Sequence, residues 1–157
     1  MKSRMILLSV KPKYLDLIFS GEKKVELRRK LPDLQKGDLV VLYSSSPECA
    51  IVGALIVSKK IEKSPECLWE EISRHAGITK NEFDNYFNKS EKATALFFNG
   101  YEKLVKPIVL EDVRKKWPDF QPPQNYIYLQ ADKSKKSIKL NLNTIFNSIN
   151  IIPFSFI

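Results

Sequence analysis

The sequence predicts an α+β fold, a small mixed β-barrel with flanking helices. Three observations carry this. At least five short apolar runs are bounded by turn residues, helices fall early and in the middle without following each strand, and 157 residues suit a single core. Regular alternation of strands with helices would mark a doubly wound sheet, and the spacing lacks it.

Arg4–Val10 (RMILLSV) reads as a buried strand that ends at Lys11-Pro12. Pro12 suits a first helical turn, and Tyr14, Leu15, Ile18 and Phe19 recur at helical spacing until Ser20-Gly21 stops them. From Lys23 to Lys30 polar and apolar residues alternate, which sets Val25 and Leu27 on one face of a strand and Lys24, Glu26 and Arg28 on the other. Gln35–Asp38 is a turn, Leu39–Tyr43 a strand that breaks at Ser44-Ser45-Ser46-Pro47, and Ala50–Ser58 a strand whose Gly53 marks a bulge or close backbone approach. Pro65–Ala76 shows helical spacing closed by Gly77, and Thr79-Lys80-Asn81-Glu82 is a capping-box match that opens a further helix. Ala93–Phe98 and Glu102–Leu110 read as two strands, the second pushed toward an edge by Pro107. Glu111–Trp117 is a short helix, and Pro122-Pro123-Gln124 delivers Tyr126–Gln130 as the strand that could close a barrel. Residues 1–131 therefore read as one domain and 132–157 as a C-terminal appendage packing on it.

Composition excludes several classes of function. A single histidine, His75, rules out multi-histidine metal sites and reads as a surface residue near a helix end. Cys49 and Cys67 lie 18 apart without metal-ligand spacing, so no zinc site or disulfide scaffold is encoded, and no cofactor is expected. No apolar stretch approaches the ~18 residues of a spanning helix, and the first residues lack a signal-peptide pattern, so a cytoplasmic, membrane-free protein is expected. Net charge is +8, divided as +6 over residues 1–60, −1 over 61–131 and +3 over 132–157. Such a balance fits a polyanionic partner, nucleic acid before membrane, or simply a lysine-rich surface. Oligomeric state is not encoded legibly.

The densest set of chemistry-bearing residues is Gly21-Glu22-Lys23-Lys24-Val25-Glu26-Leu27-Arg28-Arg29, entering a strand directly after a helix stop. Lysine supplies a point charge, glutamate an acceptor and arginine a planar fork, which together suit an anionic, hydrogen-bonding ligand. The plain alternative is an edge strand guarded by charges. Trp69, Trp117, Phe97 and Phe98 read as core aromatics rather than stacking platforms, and Arg114-Lys115-Lys116 as a solvated helix face. Gln124, held rigidly after two prolines, suits a ligand contact and a barrel-closing role equally.

Gly21-x-Lys23-x-x-Glu26-x-Arg28 resembles the G-x-K-x-x-E-x-R signature of the ASCH domain family, and Ser9-Val10-Lys11-Pro12 with Tyr14 resembles that family's opening. Leu42–Ser45, Val52-Gly53 and Pro122-Pro123-Gln124-x-Tyr126 resemble its later strands, so the likeness spans residues 4–130. It implies a PUA-like fold with a basic cleft for RNA or a nucleoside or nucleotide ligand. Lys11, Lys23, Glu26, Arg28, Tyr43, Ser44 and Ser45 would line that cleft. A branch of the family hydrolyses N4-acetylcytidine with the motif lysine as nucleophile or base, while Glu26 stands where that branch has threonine and Arg74–Gly77 offers no match for its glutamate. Ribonuclease activity also occurs among ASCH-like proteins. Binding is the preferred expectation; hydrolysis, with Lys23 and Glu26 as catalytic residues, is the alternative.

Overall fold

The computed structural model describes residues 4–131 and 149–151. In chain order the elements are β1 (Met5–Val10), α1 (Pro12–Phe19), β2 (Val25–Arg28), β3 (Leu39–Ser44), β4 (Ala50–Lys63), α2 (Pro65–Ile72), α3 (Lys80–Tyr86), β5 (Ala93–Val109), α4 (Leu110–Lys116), β6 (Tyr126–Ala131) and β7 (Ile149–Ile151). The strands form one sheet in the order β2-β5-β4-β3-β1-β6-β7, with β1 and β3 parallel and every other pair antiparallel.

The mixed α+β class holds, but the closed barrel does not. β2 and β7 are the ends of a linear order, so the sheet is open among the described residues. Register shifts between β3 and β4 and between β4 and β5 add local bend and twist, yet β2 pairs with β5 alone. The two strands expected at 93–98 and 102–110 are one continuous β5, and its Pro107 half lies beyond the stretch paired with β2, where no ladder bond is lost. Gly53 sits at a register shift, where an added Cβ would come within 2.3 Å of the Glu102 carbonyl oxygen. Of the expected appendage, Ile149–Ile151 pairs with β6, while residues 132–148 and 152–157 lie outside the described residues.

Apolar alternation explains why these strands hold together. Ile6, Leu8 and Val10 of β1 and Val40 and Leu42 of β3 pack with Leu15 and Ile18 of α1. Leu7, Val41 and Tyr43 belong to a second core with Val113 of α4 and Phe120. Central strands covered on both faces read as unbroken apolar runs, which is what RMILLSV and LVVLY are. A third core joins Val25 and Leu27 of β2 to Leu68 and Ile72 of α2, Phe83 of α3 and Phe87 at the end of that helix. Each fully buried side chain of this size contributes roughly 1.5–3 kcal/mol. The third core clamps β2, an edge strand, against the two middle helices and so fixes where its other face points.

Candidate nucleic-acid interface

The turn after α1 sets the first functional side chain. Ser20 N–H donates to the Asp16 carbonyl at 2.9 Å, Gly21 adopts φ +84°, and Lys23 N–H donates back to the Leu17 carbonyl at 2.9 Å. Lys23 thus belongs to the turn rather than to the strand, and it is buried, with 3% of its surface exposed. The segment after α2 closes over it: Lys24 N–H donates to the His75 carbonyl at 2.8 Å, and Lys23 Nζ donates to the Ala76 carbonyl at 2.9 Å. At Gly77 (φ +65°) an added Cβ would lie 2.8 Å from Lys23 Cβ, so glycine permits this approach. The helix expected over residues 65–76 therefore ends at Ile72, its following carbonyls turned toward the motif. His75 contributes through its main chain.

Pleat geometry sets the next two. With Val25 and Leu27 in the third core, Glu26 and Arg28 face the opposite way. Arg28 Nε donates to Glu26 Oε1 at 2.8 Å, Nη2 to the Ser9 carbonyl at 2.6 Å and Nη1 to Asn125 Oδ1 at 3.2 Å. Asn125 in turn donates from Nδ2 to the Lys30 carbonyl at 3.0 Å, and its own carbonyl accepts from Ser9 N–H at 3.0 Å. This network ties β1, β2 and the approach to β6 together. Glu26 side chain is 4% exposed, and its second oxygen, Oε2, has no hydrogen-bond partner among the described residues. A buried acceptor left in that state costs about 1–3 kcal/mol, which a bound donor recovers.

Burial lowers the Lys23 pKa from its ordinary 10.5 against the pull of Glu26, and Arg28 lowers it further. Among the described residues Lys23 forms no ion pair, because the Glu26 charge is engaged by Arg28 instead. The Tyr14 ring, 5.5 Å from Lys23 Nζ, offers the ammonium a cation–π contact.

These groups line a cleft of about 430 Å³. Ser9 comes from β1, Tyr14 from α1 and Glu26 and Arg28 from β2; Lys11 joins β1 to α1, Lys23 sits in the turn before β2, Arg29 follows β2, Ser45 follows β3, and Pro123 and Gln124 precede β6. Ile78, Glu82 and Tyr86 close it from α3 and the loop before it. Four basic and two acidic side chains leave the lining with a surplus of two positive charges, which suits a phosphate-bearing ligand.

Of the residues expected to bind a ligand, Lys11, Lys23, Glu26, Arg28 and Ser45 meet at this cleft, and Tyr43 and Ser44 do not. Tyr43 is 1% exposed and sits edge-on to Phe120, ring centroids 5.9 Å apart, in the second core. Burial, with the neighbouring Cys49, pushes its phenol up to about 12. Ser44 is fully buried and donates to Glu48 Oε2 at 2.7 Å. Both lie in β3, which has a partner strand on each side, so neither has an open flank. Gln124 lines the cleft; Trp69, Trp117, Phe97 and Phe98 pack against the cores as expected. Arg29 belongs to the dense set at Gly21–Arg29, whereas Asn125, Ala76 and Tyr86 carry no functional signal in the sequence beyond the helix stop at Gly77 beside Ala76.

The ASCH domain family model matches residues 8–106, 99 of the 157 positions. The chain belongs to the ASCH domain family. An ASCH domain-containing ribonuclease of Zymomonas mobilis is 27% identical over 133 residues, 85% of this chain and 89% of that protein. The crystal structure of ASCH from Zymomonas mobilis superposes with a TM-score of 0.75 at 27% identity, covering 80% of this chain and 87% of that one. The large ribosomal subunit protein uL22 of Ureaplasma parvum is 28% identical over 102 residues, 65% of this ASCH chain but 33% of that protein. Among the described residues no helix is long and apolar enough to cross a membrane.

Proposed function

We propose that this ASCH protein binds single-stranded RNA in the cleft and cleaves it there, with Glu26 as proton acceptor and Lys23 as proton donor. The observation that carries the reading is one cleft wall holding a buried carboxylate oxygen without a protein partner beside a buried lysine of lowered pKa. Perturbed titratable groups of this kind in a concave site mark acid–base chemistry. The ribonuclease relative, aligned over most of both chains, supports it.

In the proposed step Glu26 takes the proton of a ribose 2′-hydroxyl and the 2′-oxygen bonds to the adjacent phosphorus. The bond from phosphorus to the 5′-oxygen breaks, and that oxygen takes a proton from the Lys23 ammonium. The products are a 2′,3′-cyclic phosphate and a 5′-hydroxyl. A lowered pKa makes the ammonium a better donor near neutrality, and Arg28 holds the carboxylate in place while the basic lining holds the phosphate. Arg28 is a positioning residue, since three of its N–H groups are already engaged.

The test is cleavage of a labelled single-stranded RNA by wild type, Lys23→Ala and Glu26→Gln, with gel identification of the cyclic phosphate. Cleavage by wild type that falls in both variants supports the reading. Tight binding of RNA that stays intact would make the cleft a recognition site without turnover, and binding of neither RNA nor product would remove RNA as the ligand.

A further inference from the structure

The α3 wall of the cleft carries a feature that the proposed chemistry leaves unused. A capping box fixes the start of this helix: Thr79 Oγ1 accepts from Glu82 N–H at 3.2 Å, and Thr79 N–H donates to Glu82 Oε2 at 2.8 Å. Phe83 and Phe87, four residues apart, are buried in the third core and anchor one face. Glu82 and Tyr86, also four apart, share the adjoining face and line the cleft. Tyr86 is a large aromatic left 38% exposed on the cleft rim.

Arg29, which follows β2 and also lines the cleft, contacts Tyr86. Its guanidinium carbon lies 4.7 Å from the ring centroid, and Nη2 donates to the Tyr86 carbonyl at 2.6 Å. A planar guanidinium over a tyrosine ring, tied to that residue by a hydrogen bond, offers a cationic π-surface. Unstacked bases of single-stranded RNA lie on such planes whatever their sequence, because every base has a π-face. Arg29 follows Glu26 by three positions, roughly 10 Å at about 3.3 Å per residue. A base stacked there belongs to a nucleotide beside the one that meets Glu26.

We infer that Tyr86 and Arg29 form a base-stacking subsite for the neighbouring nucleotide, so that the cleft takes an oligonucleotide of at least two residues and discriminates against free nucleosides and mononucleotides. This rests on the RNA reading above and names its substrate class.

Anisotropy of a fluorescein-labelled single-stranded RNA decamer of mixed sequence tests it, read in the cold over a range of salt, with a gel check that the probe is intact. Cytidine 5′-monophosphate, measured calorimetrically, is the single-nucleotide probe. Tyr86→Ala weakens decamer binding about tenfold, Tyr86→Phe restores it, and the salt slope stays that of wild type because no charge is lost. Arg29→Ala weakens the decamer and flattens the slope by up to one charge. Both variants cost the mononucleotide less than they cost the decamer. Thermal melting of Tyr86→Ala checks that an exposed substitution leaves the protein folded. Decamer binding equal to wild type in both variants overturns the subsite and leaves the RNA reading standing. Equal losses for decamer and mononucleotide also overturn it, by placing Tyr86 in the single-nucleotide site. A wild type that binds no decamer overturns both.

Discussion

The turn and strand from Lys23 to Arg28 and the end of β3 from Tyr43 to Ser44 both bury polar side chains, yet only the first does so beside a cleft. β2 is an edge strand with β5 on one side, so its free flank is open to partners from β1, the β6 approach and the loop before α3. β3 is paired on both sides and packed on both faces, so a hydroxyl there has only a core to enter. Charge buried at a partly open edge can be engaged on one side and kept available on the other. A central strand supports nothing more demanding than a serine or tyrosine hydroxyl.

The sharpest way to break this comparison is to neutralise one member of each group. Glu26→Gln lowers the initial rate of RNA cleavage about 100-fold or more, the usual contribution of a positioned acid or base, while Tyr43→Phe leaves it within roughly twofold. Equal effects would mean that the cleft is not the reacting centre.

Stability should separate the two regions next. Arg28→Ala removes three hydrogen bonds and leaves the Glu26 carboxylate buried without its partner, so urea unfolding should show a loss of about 3–5 kcal/mol. Ser44→Ala, which releases a hydrogen bond to the exposed Glu48, costs about 1 kcal/mol by the same measurement.

Gly77→Ala sharpens the role of the segment over Lys23. The new Cβ meets Lys23 Cβ at 2.8 Å from a backbone at φ +65°, and thermal unfolding should register a loss of roughly 1–3 kcal/mol with reduced cleavage. Gly37→Ala, at φ +92° but with nothing within 4 Å of the new Cβ, carries the backbone cost alone and leaves cleavage unchanged.

The smallest effect is a slope. The Lys23 pKa is lowered in the folded protein, so between that value and 10.5 the unfolded chain binds the extra proton and stability rises with pH. The stability difference between wild type and Lys23→Met should therefore climb through that window, by at most about 1.4 kcal/mol per pH unit, and level off above it. A difference that falls with rising pH would mean that Lys23 is held protonated by a partner.

Most elements were legible before folding was considered. Pro12 opened α1 and Gly21 closed it, Thr79–Glu82 capped α3, and alternation assigned Val25 and Leu27 to one face and Glu26 and Arg28 to the other. The errors have physical causes. The residues between the two strands expected at 93–98 and 102–110 are absorbed within β5, whose pairing with β4 continues through them with register shifts. The proposed barrel stayed open because strand count says nothing about whether the first and last edges meet. Tyr43 is expected to end a strand and Ser44 to lie past its break, yet β3 runs on through Ser44 and buries both.

The sequence by itself determined the order of elements, the surplus of positive charge and the residue types gathered at Gly21–Arg28, because local periodicity, turn chemistry and composition depend only on neighbours along the chain. The tertiary structure decided which of those charges are buried, engaged or left open. Arg28 finds its partners 19 and 97 residues away, at Ser9 and Asn125, and Lys23 finds its own 53 residues away, at Ala76. Groups so distant meet only when the sheet forms, and whether a carboxylate or an amine can take part in chemistry depends on what then lies against it.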